Sequence, residues 1–301
     1  MKQMVPISQR YRSVIAELIS QAQNYVRISP DNVYQEGVAA NRRLVHNIVS
    51  ELLLPGSGIC HFERLLELYR RAQEGKSCLI LMEHFSNFDI PCLFYMLERQ
   101  GEKGKELADH IIPMAGFKLN EESDVVRGFT EAYTRIVIYP SRSLVGISDP
   151  ARLEQEKRRA KLINIRAIQE MIRRKHQGHI ILVFPAGTRY RPWEPSSKRG
   201  VKEVDSYIKS FDCMVPISVN GNVLRVNPNG EMKEDLVAED VVMLTAGDIV
   251  ACREFRDYHR AHAPDTVDLR QHVVDQVMDI LSDLHTGAEA DRLQRLQQVA
   301  G

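Results

Sequence analysis

The sequence predicts an α/β protein with a central mixed, largely parallel sheet flanked by helices and preceded by an N-terminal helical domain. Three observations predict this. Short apolar runs at 78–82, 135–139, 180–184 and 213–219 end in polar turns, as strands buried on both faces do. Longer stretches between them space their apolar residues at helical intervals. Before residue 76 the pattern is helical, with no strand signal. That change of texture divides the chain into an N-terminal helical domain, 1–75, and an α/β domain, 76–301.

Taken in order, residues 8–28 put Val14, Ile15, Leu18, Ile19 and Ala22 on one face, and Pro30 ends that helix or the turn after it. A second helical pattern over 31–54 carries Val38, Leu44, Val45, Ile48, Val49 and Leu52. It breaks at Pro55-Gly56-Ser57-Gly58. Phe62, Leu65, Leu66 and Tyr69 mark a third helix ending near Gly75. The strand at 78–82 leads through a turn into a helix over 89–100, capped by Ser86 or Asn87 with Pro91 in its first turn. A polar loop at 101–105 precedes a short strand at 111–115, and 124–133 is ambiguous. Pro140 stops the strand at 135–139. Asp149-Pro150 opens a long helix to about residue 176, with an expected buried stripe of Leu162, Ile165, Ile168 and Ile172. After the strand at 180–184 come part of a helix in 198–210 and a strand at 213–219. A hairpin through Asn220-Gly221 to 223–226 follows, then a last strand in 240–244 or 247–252. An amphipathic helix covers 267–284, and 292–299 is weakly helical.

Forty Lys and Arg balance forty Asp and Glu, so no global field draws the chain to nucleic acid, and no nucleic-acid module is present. Residues 152–175 nevertheless hold nine basic and three acidic side chains. This is a solvated outer face or a landing patch for anionic lipid or an acidic carrier protein. Five scattered cysteines point to a reducing compartment rather than a disulfide scaffold. No apolar run approaches the roughly 20 residues of a membrane span, and the first residues lack a signal-peptide core. The expectation is a cytoplasmic protein, soluble or peripherally membrane-associated. No zinc-type His-Glu-x-x-His or Cys/His cluster is present, so no metal is expected, and neither nucleotide-binding glycine motif occurs. His259 and His262 read as solvated loop.

The chemistry concentrates at two strand ends. His84 follows the first apolar strand and Asp89 opens the next helix, so a turn can bring the carboxylate against the ring and leave the other ring nitrogen as a base. The strand at 180–184 exits through Phe184-Pro-Ala-Gly-Thr-Arg189-Tyr-Arg191-Pro192, where Gly187 permits a tight turn and two arginines suit a phosphate. A base and an anion clamp together suggest a transferase acting on a phosphorylated alcohol.

These residues resemble the glycerolipid acyltransferase family. His84-Phe-Ser-Asn-Phe-Asp89 is similar to its His-x4-Asp motif, and Phe184-Pro-Ala-Gly-Thr-Arg189 to its Phe-Pro-Glu-Gly-Thr-Arg motif, in the same order. Ile136-Val-Ile-Tyr-Pro-Ser-Arg142 resembles the block ending in a basic residue that contacts the acceptor. Arg189-Tyr-Arg191-Pro192 is most like the soluble, plastid-type glycerol-3-phosphate acyltransferases, which also join a helical N-terminal domain to an α/β domain. Glu83, Ala186 and Ser143 stand where the family's usual Asn, its Glu and that branch's second basic residue lie. The resemblance implies transfer of a fatty acyl group from acyl carrier protein or coenzyme A to the sn-1 hydroxyl of glycerol 3-phosphate. It implies no other cofactor. His84 would be the general base oriented by Asp89, with Arg142, Arg189 and Arg191 on the phosphate and Gly187, Thr188 and Lys198 completing the acceptor site. Phe85, Phe88, Phe94, Tyr95 and Met114 are candidates for the acyl groove, although such side chains more often fill the core of an α/β protein. Acylation of 1-acylglycerol 3-phosphate uses the same motifs, and a non-catalytic lipid- or carrier-binding protein of the same fold is the alternative outside enzymes.

Overall fold

A computed structural model describes residues 4–22 and 27–300. Among the described residues, nine strands form one sheet and two more a separate ribbon. Helix α1 (Ile7–Arg10) and α2 (Arg12–Ser20) replace the single helix expected over 8–28, part of which lies outside the described residues. Ser29 and Pro30 form a capped 3-10 turn rather than a helix start. Strand β1 (Tyr34–Gln35) then precedes α3 (Ala39–Leu52), and β2 (Gly58–Cys60) precedes α4 (Phe62–Gln73). The segment before residue 76 is therefore not free of strands. Elements of two or three residues are too short to carry periodicity, and both gain their order by pairing with strands far along the chain.

From residue 78 the chain runs β3 (Cys78–Met82), α5 (Asp89–Glu98), α6 (Glu102–His110), β4 (Ile111–Gly116), α7 (Lys118–Glu121), α8 (Asp124–Thr130) and β5 (Arg135–Ile138). The polar stretch expected as a loop at 101–105 is the start of α6, which buries Gly104, Leu107 and Ala108. Helix α9 (Pro150–Lys175) is capped by the Asp149 carboxylate, which accepts from the Ala151 and Arg152 amides. β6 (Ile180–Val183), α10 (Val204–Ser210), β7 (Cys213–Asn220), β8 (Leu224–Arg225), β9 (Leu236–Val237), β10 (Met243–Ala246), β11 (Val250–Ala251), α11 (Cys252–Ala261) and α12 (Leu269–Ala300) complete it. The amphipathic helix expected at 267–284 and the weak helical signal at 292–299 are one continuous helix, and the stretch with His259 and His262 lies in and just after α11, not in a loop.

The sheet order is β1-β5-β4-β6-β3-β7-β10-β2, with β11 also on β7. Its centre, β5-β4-β6-β3-β7, is parallel, while β1, β10 and β11 pair antiparallel to it. All five residues of β3 are fully buried, as a strand covered on both faces requires. Ile7, Val45 and Leu68 share one apolar core with Ile80 and Val215, so the N-terminal helices pack directly on one face of the sheet. Ile163 of α9 and Val273 of α12 belong to the core on the other face.

One expectation about packing is reversed, and one strand pairing differs. Leu162, Ile165, Ile168 and Ile172 of α9 are exposed, and the helix packs through Ala160, Ile163, Ala167 and Met171. Of the residues read as groove or core, Phe88, Phe94 and Met114 are core, and Phe85 lies beside the His84 cleft. The Asn220-Gly221 turn is present, but β8 leaves the sheet and pairs with β9 instead of β7. Gly221 sits at φ +87°, where a Cβ would lie 2.1 Å from the Val241 carbonyl oxygen. Gly221→Ala should therefore destabilise the fold by about 1 kcal/mol or more, read as a lower urea midpoint; an unchanged midpoint would contradict this account of the turn.

Candidate active site

Two parallel neighbours end side by side. β3 and β6 pair with Leu81 opposite Val183, so His84 and Phe184 leave the sheet together. Their rings stack, with centroids 3.9 Å apart and planes 12° from parallel. The Tyr190 amide donates to the His84 carbonyl at 2.8 Å, joining the two exit turns through the backbone.

Asp89 is the first residue of α5 and is 3% exposed. Its Oδ2 accepts from His84 Nδ1 at 2.9 Å, from the Phe85 amide at 2.7 Å and from the Ser86 amide at 2.9 Å. A helix N-terminus is also the favourable end for a carboxylate. Because the carboxylate accepts, Nδ1 carries the proton and Nε2 carries the lone pair. Nε2 has no hydrogen-bond partner among the described residues. Burial lowers the pKa of the imidazole from its usual 6.5. The Asp89 carboxylate opposes that shift, and Arg189 and Arg142 add to it. The neutral ring is thus the form that the site favours at neutral pH. Ser86 locks the turn, accepting from the Phe88 amide at 3.0 Å and donating to the Leu224 carbonyl at 2.8 Å.

The cations are not equivalent. Arg189 is buried and forms an ion pair with Asp235, which is 1% exposed and also accepts from Asn87 and from the Asn227 amide. Burial raises the Asp235 pKa, and Arg189 counters it. Arg189 is thus a tie between its turn and the β8–β9 ribbon, as well as a charge near His84. Arg191 pairs with Glu194 across its own loop at 3.3 Å. The Arg142 guanidinium has no ion-pair or hydrogen-bond partner among the described residues. Its guanidinium reaches over Gly187, where desolvation and then the nearby Arg191 lower its pKa. Gly187 adopts φ +60° and its amide donates to the Phe184 carbonyl at 2.8 Å, which forms the turn beneath Arg142. Thr188 lies half-buried in the same turn. Lys198 is exposed and borders the void beside His84, with Glu83, Phe85, Tyr190 and Met278.

That void is about 10 Å³, room for little more than one water. Tyr190, Ser197 and Lys198, all from the loop after β6, form part of its wall. The loop is closed on itself: the Ser197 hydroxyl accepts from the Arg191 amide and donates to the Glu194 carbonyl.

Asp235 and His285 contribute without having been singled out from the sequence, and Glu83, noted there only as a departure from the family pattern, contributes with them. Asp235 lies in a polar stretch with no motif. Glu83 is 4% exposed, and its Oε2 accepts from the Val219 amide at 3.0 Å and from His285 Nδ1 at 2.8 Å. A carboxylate directly after a fully apolar strand signals a buried partner. The partner, on α12 more than two hundred residues away, is set only by the fold. Among the described residues, no group of three His, Cys, Asp or Glu side chains is placed to hold a metal ion. Comparison of the chain with protein-family models found no match, and comparison with curated proteins found none.

Two measurements check this geometry. The His84 imidazole should titrate below 6.5 by NMR, and Asp89→Asn should lower its midpoint further, because the carboxylate is what favours the charged ring. On acidification the unfolded chain takes up that proton first, so His84 also draws stability down as pH falls below 6.5. A midpoint at or above 6.5 would contradict the burial of the ring. Asp235→Asn should destabilise the fold by about 3 kcal/mol or more by leaving Arg189 buried and unpaired. Arg189→Met combined with Asp235→Asn should recover part of that loss in a denaturation series.

Proposed function

We propose that this protein is an acyltransferase that moves a fatty acyl group from an acyl carrier protein or coenzyme A thioester to the sn-1 hydroxyl of glycerol 3-phosphate. The observation that carries the reading is the pairing of a histidine whose Nε2 is unengaged and whose Nδ1 is held by a buried carboxylate with the unpartnered Arg142 guanidinium, which follows β5 and reaches over Gly187. His84 Nε2 removes the hydroxyl proton as the oxygen attacks the thioester carbonyl. Asp89 favours the imidazolium that develops. The tetrahedral intermediate then expels the thiol, which recovers the proton from His84. Arg142 takes the phosphate, with Arg191 able to exchange Glu194 for it and Lys198 at the rim. A hydroxyl fixed in this way reacts at a large effective concentration. Arg189 contributes charge and rigidity rather than a free grip.

A soluble assay offering glycerol 3-phosphate and 1-acylglycerol 3-phosphate, each with matched carrier-protein and coenzyme A thioesters, tests the reading and separates the two acceptors. His84→Ala should lower kcat by about 10²–10⁴-fold. Arg142→Ala should raise the acceptor KM by about tenfold or more, with a smaller effect on kcat. Absence of transfer to either acceptor would remove the proposal. Trp193, the single tryptophan, is 51% exposed on the loop that lines the void beside His84. Its fluorescence should change saturably when glycerol 3-phosphate is added to the His84→Ala protein.

A further inference from the structure

The outer face of α9 carries Leu162, Ile165, Ile168 and Ile172, exposed by 56%, 44%, 51% and 43%. Spacings of three, three and four residues align them as one stripe. At 1.5 Å per residue it is about 15 Å long. Isolated exposed apolar residues are ordinary, but a contiguous row of them marks a contact surface. Arg158 and Lys161 continue the stripe toward the helix N-terminus, and Lys157, Arg166 and Arg173 lie along its flanks, all of them exposed.

The helix sorts its cations. Arg159 turns inward to Glu121 and the Ile28 carbonyl, Arg174 lies over the Tyr34 ring, and Lys175 donates to the Ser210 carbonyl. Of the outward ones, Arg173 shares the largely covered Glu170 with Arg174, and Arg158 is held only by the exposed Glu154. An exposed pair of this kind exchanges readily for another anion.

We propose that this face of α9 docks on an anionic lipid bilayer. The helix would lie in the plane of the surface with its isoleucines in the acyl boundary, while the Lys and Arg side chains extend to lipid phosphates. The charge of the face decides among occupants. A second copy of this chain would bring the same cations against it. The stripe is convex, on a helix whose other side is fixed to the sheet, and it offers no groove for a peptide. The segment joining the Arg142 turn to α9 exposes Val145 at 81%, so the docked helix would hold that turn close to the membrane.

The test is flotation of the full chain with phosphatidylcholine vesicles, with and without phosphatidylglycerol. The wild-type protein should float with the anionic vesicles only, and less as salt rises. Ile165→Ser combined with Ile168→Ser and Ile172→Ser should weaken binding about tenfold or more. These side chains are exposed, so the melting temperature should be unchanged. Lys157→Gln, Arg158→Gln and Lys161→Gln together should weaken binding and flatten its salt dependence. No binding by the wild-type protein, or equal binding by the serine variant, overturns the proposal. So does self-association, or binding to an acidic protein, that the serine variant loses while the wild-type chain ignores vesicles.

Discussion

The parallel register between β3 and β6 is the constraint on which the candidate site depends. Leu81 opposite Val183 brings two exit turns together that are about a hundred residues apart in sequence. The His84–Phe184 stack and the Tyr190–His84 backbone bond follow from that alignment. Side chains alternate between the two faces of a strand, so a slip of one residue would reverse the faces of β6. The fully buried Leu79, Leu81, Ile181 and Leu182 leave no room for such a slip.

Around this frame three carboxylates are buried, which is costly unless each is satisfied. Asp89 draws its partners from its own turn, whereas Asp235 and the Oε2 of Glu83 draw theirs from distant elements and Glu83 Oε1 is left without a partner. Asp89 gathers the His84 ring and two amides, Asp235 joins Arg189 to the β8–β9 ribbon, and Glu83 links β7 to α12 through His285. The ribbon is in turn held by the N-terminal segment, where the Ile7 amide donates to the Asp235 carbonyl at 2.9 Å. After this internal pairing, His84 Nε2 and the Arg142 guanidinium remain without partners among the described residues. The polar network therefore does two things at once: it closes the strand ends and it leaves a base and a cation available.

The parts legible in the sequence were those with local causes. The apolar run 78–82, the Asp149-Pro150 cap and the His84–Asp89 spacing each depend on residues within a few positions of one another, and each appears as expected. Long-range causes left no local trace. The β1 and β2 strands exist because β5 and β10 offer edges to them. The β8 strand leaves the expected hairpin because β9 is its partner, and Asp235 reaches Arg189 only because that ribbon folds back over the turn. The two arginines expected to act alike differ for the same reason: Arg189 meets a buried aspartate and Arg142 meets none.

Helix α9 shows why periodicity alone cannot choose a face. Leu162, Ile165, Ile168 and Ile172 make the more hydrophobic row, and area burial would favour turning it inward. The row that is buried instead, Ala160, Ile163, Ala167 and Met171, has two alanines. Small side chains let the helix approach the sheet closely, so that the Asn164 side chain can both accept from the Tyr139 amide at 2.8 Å and donate to the Tyr139 carbonyl at 2.9 Å. Turning the isoleucine row inward would rotate Asn164 away and leave those two backbone groups to find other partners at the end of β5. Close packing and a satisfied backbone decide the orientation of α9, and the more apolar face is left at the surface with its cations around it.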